Sequence, residues 1–166
     1  MAAETGGVFP PPMDEPVREW RRDDLVVSTE RARIDVDAVH AFLAGSYWAA
    51  GIPREVVERS IHHSLCFGIY RQERQVGFAR VISDLATFAY IGDVFVVEDE
   101  RGRGLSRWLL ECIREHPALQ GLRRWMLATR DAHGLYRRFG FRELRDPALL
   151  MELLDPEVYT PAPGAR

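Results

Sequence analysis

The chain contains no lysine and no asparagine, so all 22 of its basic side chains are arginine. A bias spread this evenly along the chain is compositional and marks no single site. Set against 25 acidic residues it leaves a formal net charge of −3, which gives no global basic field and argues against nucleic acid as a partner. Any cationic site must therefore be local. Cysteine is scarce: Cys66 and Cys112 lie in apolar segments without C-x-x-C spacing, which gives no disulfide framework and no zinc site and points to a reducing compartment. No apolar run approaches the roughly 20 residues that span a bilayer. The first residues carry Glu4, three prolines (Pro10, Pro11, Pro12), Asp14 and Glu15, not a basic patch and an apolar stretch. The expectation is a soluble, cytoplasmic protein that binds neither membrane nor metal.

What is present is 46% hydrophobic residues in 166, enough for one domain and too few for a second. Residues 1–20 and the tail 156–166 are rich in proline and poor in apolar side chains, so both are expected to be disordered, with the folded unit over 22–155. Within it the hydrophobic period alternates between 2 and 3.6, the mark of a mixed α/β domain. Leu25–Thr29 reads as a strand, 36–43 as a helix, and Pro53 as the start of a second helix. Leu65–Tyr70 and Val76–Ile82 form a hairpin pattern, and Phe88–Val97, apolar at nearly every position, is expected to be the central strand, buried on both faces.

The strongest helical stripe follows, with Leu105, Trp108, Leu109, Cys112 and Ile113 on one face and Arg107 and Glu111 as an outward i,i+4 pair. A short strand over 124–128 leads to a helix that carries Ala132, Leu135, Tyr136 and Phe139, capped by Asp131 and stopped by Gly140. Phe141–Leu144 and Leu149–Leu153 are expected to close the sheet as two strands.

Chemistry concentrates at RGRGLS, residues 101–106, between the apolar strand and the strongest helix. Gly102 and Gly104 let backbone approach a ligand, and the free N–H groups and positive dipole end of the helix suit an anion. Arg101, Arg103 and Arg107 place three cations in a seven-residue window. The absence of Gly-Lys-Ser/Thr excludes a P-loop. By itself this turn is equally a plain helix start.

The stretch resembles the acyl-coenzyme A signature of the GNAT superfamily of N-acetyltransferases, Gln/Arg-x-x-Gly-x-Gly/Ala, through Arg101 and Gly104, with Ser106 in the last position. Downstream, LATRDAHGLYRRFGF, residues 127–141, is similar to the family's later motif through Ala132, Tyr136, Gly140 and Phe141. The two blocks come in the family's order, and the resemblance covers roughly residues 25–153.

It implies a mixed, mostly antiparallel sheet flanked by helices, with the family's fourth and fifth strands splayed to admit a pantetheine arm. Acetyl-coenzyme A is the implied co-substrate, held by the backbone of Val94, Phe95 and Val96 and by the amides of Arg101, Gly102, Arg103, Gly104, Leu105 and Ser106. Thr129 and Ala132 flank the same cofactor, and Thr129 stands where the family often has asparagine.

Tyr136 matches the tyrosine that protonates the departing thiolate, a role a phenol of pKa near 10 can fill. It also lies on an apolar helical face, where a packed core tyrosine needs no function. Asp93, the lone carboxylate in 88–97, is the candidate base or amine-orienting group, with Tyr90 or an ordered water as substitutes. A bulge at Gly92–Asp93 that returns the carboxylate to water is the other reading. Tyr47 and Trp48 would line the acceptor side or pack in the core. His62 and His63 are adjacent and so cannot make an i,i+4 metal pair. Arg137, Arg138, Arg142 and Arg145 read as a solvated face or as contacts to the cofactor's ribose phosphate.

The reading is an N-acetyltransferase acting on a small-molecule or protein primary amine by direct attack, as monomer or homodimer. A noncatalytic acyl-coenzyme A sensor is the alternative, and an RNA-contacting RGRG patch a third.

Overall fold

The computed structural model describes residues 15–160. The expectations for 1–14 and 161–166 lie outside the described residues. Six strands form one sheet in chain order: β1 (Glu19–Arg22), β2 (Leu25–Ser28), β3 (Leu65–Arg71), β4 (Arg74–Ser83), β5 (Phe88–Val96) and β6 (Arg124–Met126). All neighbours are antiparallel except β5 and β6, which are joined through a helical crossover and run parallel. Helices α1 (Val36–Ala44) and α2 (Arg54–His62) lie between β2 and β3, α3 (Leu105–Glu115) between β5 and β6, and α4 (His133–Arg137) after β6.

The two faces of the sheet bury separate cores. One takes Leu65, Phe67 and Ile69 of β3, Ala89 and Ile91 of β5 and the buried stripe of α3; the other takes Cys66, Phe78 and Phe95 with Val39, Leu43, Val57 and Ile61 of α1 and α2. The alternation along β3 is the period of 2 that a strand covered on both faces requires. The stripe of α3 is buried as its spacing predicts, and Arg107 Nε lies 2.9 Å from Glu111 Oε1 on the outer face. Fully burying each such large apolar side chain contributes roughly 1.5–3 kcal/mol, so the crossover helix is anchored firmly at the end that carries the glycine turn.

Several expectations need correction. Glu19 and Trp20 belong to β1, which pairs along its whole length with β2, and Trp20 packs on Phe67 with ring centroids 6.0 Å apart. An aromatic with a sheet edge to join is ordered despite its polar neighbours. The apolar run 88–97 is not the central strand. It is next to last, with β3 and β4 inside it; β6 pairs with only its first part, and five of its nine residues are half-buried. Asp131 does not cap α4; Thr129 Oγ1 accepts from Ala132 N at 3.0 Å and fixes that turn. Neither Phe141–Leu144 nor Leu149–Leu153 is a strand: the segment runs along the outside of β6 as irregular backbone with one helical turn at Pro147–Leu149. Apolar residues in a β pattern do not make a strand without a ladder to join. In the expected tail, residues 156–160 are turn structure, and Tyr159 packs against the α1–α2 core.

Candidate active site

The site begins where β5 and β6 part. Their register runs Phe88 to Arg124, Ala89 to Trp125 and Tyr90 to Met126, and then stops. Beyond Tyr90 and Met126 the side of β5 that faced β6 has no strand partner, and its backbone groups require another partner or water. With the added β1, these are the fourth and fifth strands of the expected splay.

A bulge sharpens the opening. Between Arg80↔Gly92 and Phe78↔Phe95 the β4–β5 register shifts, and Asp93 takes φ +56°, left-handed backbone that is uncommon outside glycine. The extra residue reverses the facing of β5, so Ala89 and Ile91 fill the α3 core while Phe95 fills the other. It also aims Asp93 into the cleft. Asp93 Oδ2 lies 2.7 Å from Arg80 Nε, and Oδ1 accepts from Trp48 Nε1 at 3.3 Å. Arg80 in turn donates to Ser64 Oγ at 3.2 Å. Both side chains of the ion pair are largely buried, 18% and 12% exposed, so each charge is compensated in place.

This cleft, about 620 Å³, is walled by Tyr47, Trp48, Tyr90, Asp93 and Tyr136. Tyr47 bridges its two sides: its hydroxyl accepts from Arg130 N at 3.2 Å, and the Arg130 guanidinium lies 3.8 Å from its ring centroid. Tyr47 and Trp48 are half-exposed at the mouth, so they are not core residues.

Tyr136 projects from α4 into the same cleft. It is 8% exposed, packs edge-on to Phe141 at 5.9 Å, and its phenol is pushed up to about 12 by burial. Among the described residues no group hydrogen-bonds its hydroxyl.

The other end of the wedge is the glycine turn. Gly102 and Gly104 adopt φ +75° and +74°, and a Cβ at either position would meet nothing within 4 Å. Glycine is thus required by backbone conformation and leaves an open cradle. Gly104 caps α3 without a side-chain hydrogen bond, and the first turn holds no acid, so its amides are available to an anion. Leu105 is buried beneath the cradle, Ser106 lines it, and Arg138, just after α4, joins the rim. Arg101 Nε donates to the Val96 carbonyl at 3.1 Å, Arg103 reaches Glu100 at 3.4 Å, and Arg107 holds Glu111.

Glu100 is buried and bound by both Arg71 Nε and Nη2, at 2.8 and 3.0 Å. That guanidinium hydrogen bond keeps its carboxyl below the usual range. The turn is pinned to β3 from below.

The expected site residues divide between two neighbouring pockets: Asp93, Val94, Thr129, Ala132 and Tyr136 line the cleft, while Val96, Arg101, Gly102, Gly104, Leu105 and Ser106 line the pocket at the glycine turn. Phe95 is buried in the α1–α2 core, and Arg103 lines neither pocket. Two partners escaped sequence reading: Arg80 and Arg130. Arg80 carried a usable signal, since it is the lone charge in the buried run 76–81 and faces the lone carboxylate of 88–97. Cys66 and Cys112 are buried, with thiols pushed up to about 12 by desolvation, far from a nucleophile's range. Among the described residues no cluster of His, Cys, Asp and Glu suits a metal, and no helix is long and apolar enough to cross a membrane.

Comparison with known proteins settles what this wedge belongs to. The acetyltransferase (GNAT) domain family matches residues 62–143. A crystal structure of a GNAT-family protein from Xanthomonas campestris pv. campestris is 51% identical, with a TM-score of 0.81 over 82% of this chain and 97% of that one. The chain belongs to the GNAT family of acetyltransferases. A curated relative in Gibberella zeae, named as a candidate acetyltransferase, is 34% identical over 78% of this chain and 85% of its own length. The GNAT fold extends to more distant proteins: glucosamine-6-phosphate N-acetyltransferase of Arabidopsis thaliana, 15% identical, superposes with a TM-score of 0.53 over 84% of this chain and 98% of that one.

Proposed function

We propose that this GNAT protein transfers an acetyl group from acetyl-coenzyme A to a primary amine by direct attack. The observation that carries the reading is the wedge itself: β5 and β6 part beyond Tyr90 and Met126, with the positive-φ glycine turn lining one pocket and Tyr136, whose hydroxyl no described residue hydrogen-bonds, lining the neighbouring cleft. The residues present fit coenzyme A. Amides from Arg101 to Ser106 and the Arg138 guanidinium suit the pyrophosphate, and the unpaired edge of Val94–Val96 suits the amides of the pantetheine arm. Acetyl-coenzyme A supplies an activated thioester whose carbonyl an amine can attack directly.

Tyr136 holds the proton that the leaving sulfur takes up. Its raised value keeps it protonated at any physiological pH, and its free hydroxyl costs no protein hydrogen bond to use. Asp93 positions and does not act as base, because Arg80 and Trp48 already engage both its oxygens. It holds the Trp48 indole at the mouth, where Tyr47, Trp48 and Tyr90 receive the acceptor. Tyr90 or an ordered water takes the amine's proton. With both thiols buried and fully protonated, no covalent acyl-enzyme is needed. Two free cysteines also suit a reducing, cytoplasmic setting.

The test is thermal unfolding with acetyl-coenzyme A, followed by thiol release against a panel of small amines and peptide N-termini. A hundredfold excess over Kd stabilises by about 2.7 kcal/mol, a rise of several degrees for a domain this size. Absence of any shift with every acyl-coenzyme A tried overturns the proposal. A shift with no thiol released by any amine points to a sensor.

A further inference from the structure

The cleft is lined by a glycine that the fold does not need. Gly92 of β5 lies between Tyr90 on its own strand and Arg80, its cross-strand partner on β4, and all three line the cleft. Elsewhere in the sheet glycine answers to packing: a Cβ at Gly68 would collide with the Tyr70 ring, and one at Gly77 would come within 2.8 Å of Ile69 Cδ1. At Gly92 neither backbone nor neighbours require it. Its φ is outside the left-handed region, which the bulge gives to Asp93 instead, and a Cβ would rest in ordinary contact, 3.5 Å from the Tyr90 ring and 4.0 Å from Arg80 Nη2. A glycine inside a strand forgoes stability that a side chain would add, and what it leaves here is a bare strip of backbone that a ligand can approach.

Much of the cleft wall is aromatic. Trp48 donates to Asp93 Oδ1 at 3.3 Å and meets Tyr47 edge to face, with ring centroids 5.0 Å apart, while Tyr90 and Tyr159 line the cleft from other segments. Such faces suit a flat ring by stacking and an amine by cation–π attraction. Charge narrows the occupant further. Among the described residues the charged side chains of the lining are Arg80, Asp93, Arg130 and Asp131, two of each sign, and the pair Arg80–Asp93 is already closed at 2.7 Å. A polycation needs an excess of carboxylates and an acidic substrate an excess of cations; this lining supplies neither.

We infer, on the basis of the acyl-transfer reading, that the acceptor is an arylalkylamine with a single amino group, its ring lying against Gly92 between Tyr90 and Trp48, and that Gly92 sets this specificity. The amine nitrogen forms the amide bond as the C–S bond of the thioester breaks. One amine proton leaves through Tyr90 or an ordered water, and coenzyme A departs as the thiol with the proton from Tyr136.

The experiment uses the full chain and separates the two claims. Thermal unfolding with acetyl-coenzyme A tests the transfer reading alone, whereas calorimetry with amines tests the acceptor class whether or not transfer occurs. 2-Phenylethylamine and tyramine should bind at least about tenfold more tightly than spermidine, butylamine or a triglycine peptide, and should give the highest kcat/KM in thiol release. Gly92→Ala, whose Cβ makes only ordinary contacts, should keep or raise the thermal midpoint and keep the acetyl-coenzyme A shift, yet weaken both aryl amines by about tenfold or more. Spermidine, butylamine or triglycine binding as tightly as the aryl amines overturns the inference, and so does failure of every amine to bind. Thiol release by another amine and not by the aryl amines overturns it, as does undiminished aryl-amine affinity in Gly92→Ala. Absence of the acetyl-coenzyme A shift with the aryl-amine preference intact strikes the transfer reading and supports the site.

Discussion

Replacing Tyr136 with phenylalanine separates its chemistry from its packing. The ring keeps its buried place on α4 and its edge contact with Phe141 at 5.9 Å, and the hydroxyl it loses is bonded to no protein group among the described residues. Stability should therefore change by less than about 0.5 kcal/mol. Coenzyme A affinity should hold as well, because the anion cradle lies on a different element. Turnover should not: loss of a general acid typically costs 10²–10⁴-fold, about 2.7–5.4 kcal/mol in the barrier. Thiol release at saturating acetyl-coenzyme A reads kcat, and urea unfolding of the same preparation reads stability. The pH profile adds a second check. With its phenol pushed up to about 12, Tyr136 stays protonated through the neutral and alkaline assay range, so no alkaline fall in rate below that value belongs to it. A variant that keeps more than about a tenth of the wild-type kcat refutes the assignment, and equal losses of kcat and stability would make Tyr136 a packing residue.

Other expected outcomes follow from the same geometry. Arg80→Met and Asp93→Asn each leave a largely buried charge or amide short of its partner, and a double-mutant cycle by urea denaturation should give a coupling of about 1–3 kcal/mol; additivity within about 0.3 kcal/mol would remove the pair from the argument. Gly104→Ala forces a φ of +74° on a residue with a Cβ, costing about 1–2 kcal/mol of stability, and since that Cβ meets no protein atom, any further loss of coenzyme A affinity measured by calorimetry reports ligand approach. His116 is buried, its Nδ1 accepts from Ala118 N, and desolvation holds its imidazolium below the ordinary histidine value. As pH falls through about 6.5 the unfolded chain binds this proton and the folded one does not, so stability declines by at most about 1.4 kcal/mol per unit. His116→Gln should flatten that part of the urea midpoint against pH.

The sequence by itself determined whatever rests on local physics. The stripe Leu105, Trp108, Leu109, Cys112, Ile113 can bury one face only as a helix, and positive φ at Gly102 and Gly104 suits residues without a Cβ, so helix and cradle were both legible. The β3–β4 hairpin followed from two apolar runs around a polar turn. Tertiary structure alone decided what depends on partners distant in the chain. Arg80 and Asp93 meet because a bulge turns β5; α4 starts at Ala132 without a side-chain cap, behind a turn that Thr129 closes; Leu149–Leu153 stays out of the sheet for want of a ladder. A strand's hydrogen bonds belong to its neighbour, whereas a helix carries its own, and this is why periodicity located the helices and could not say which apolar run would be central or which would be left unpaired.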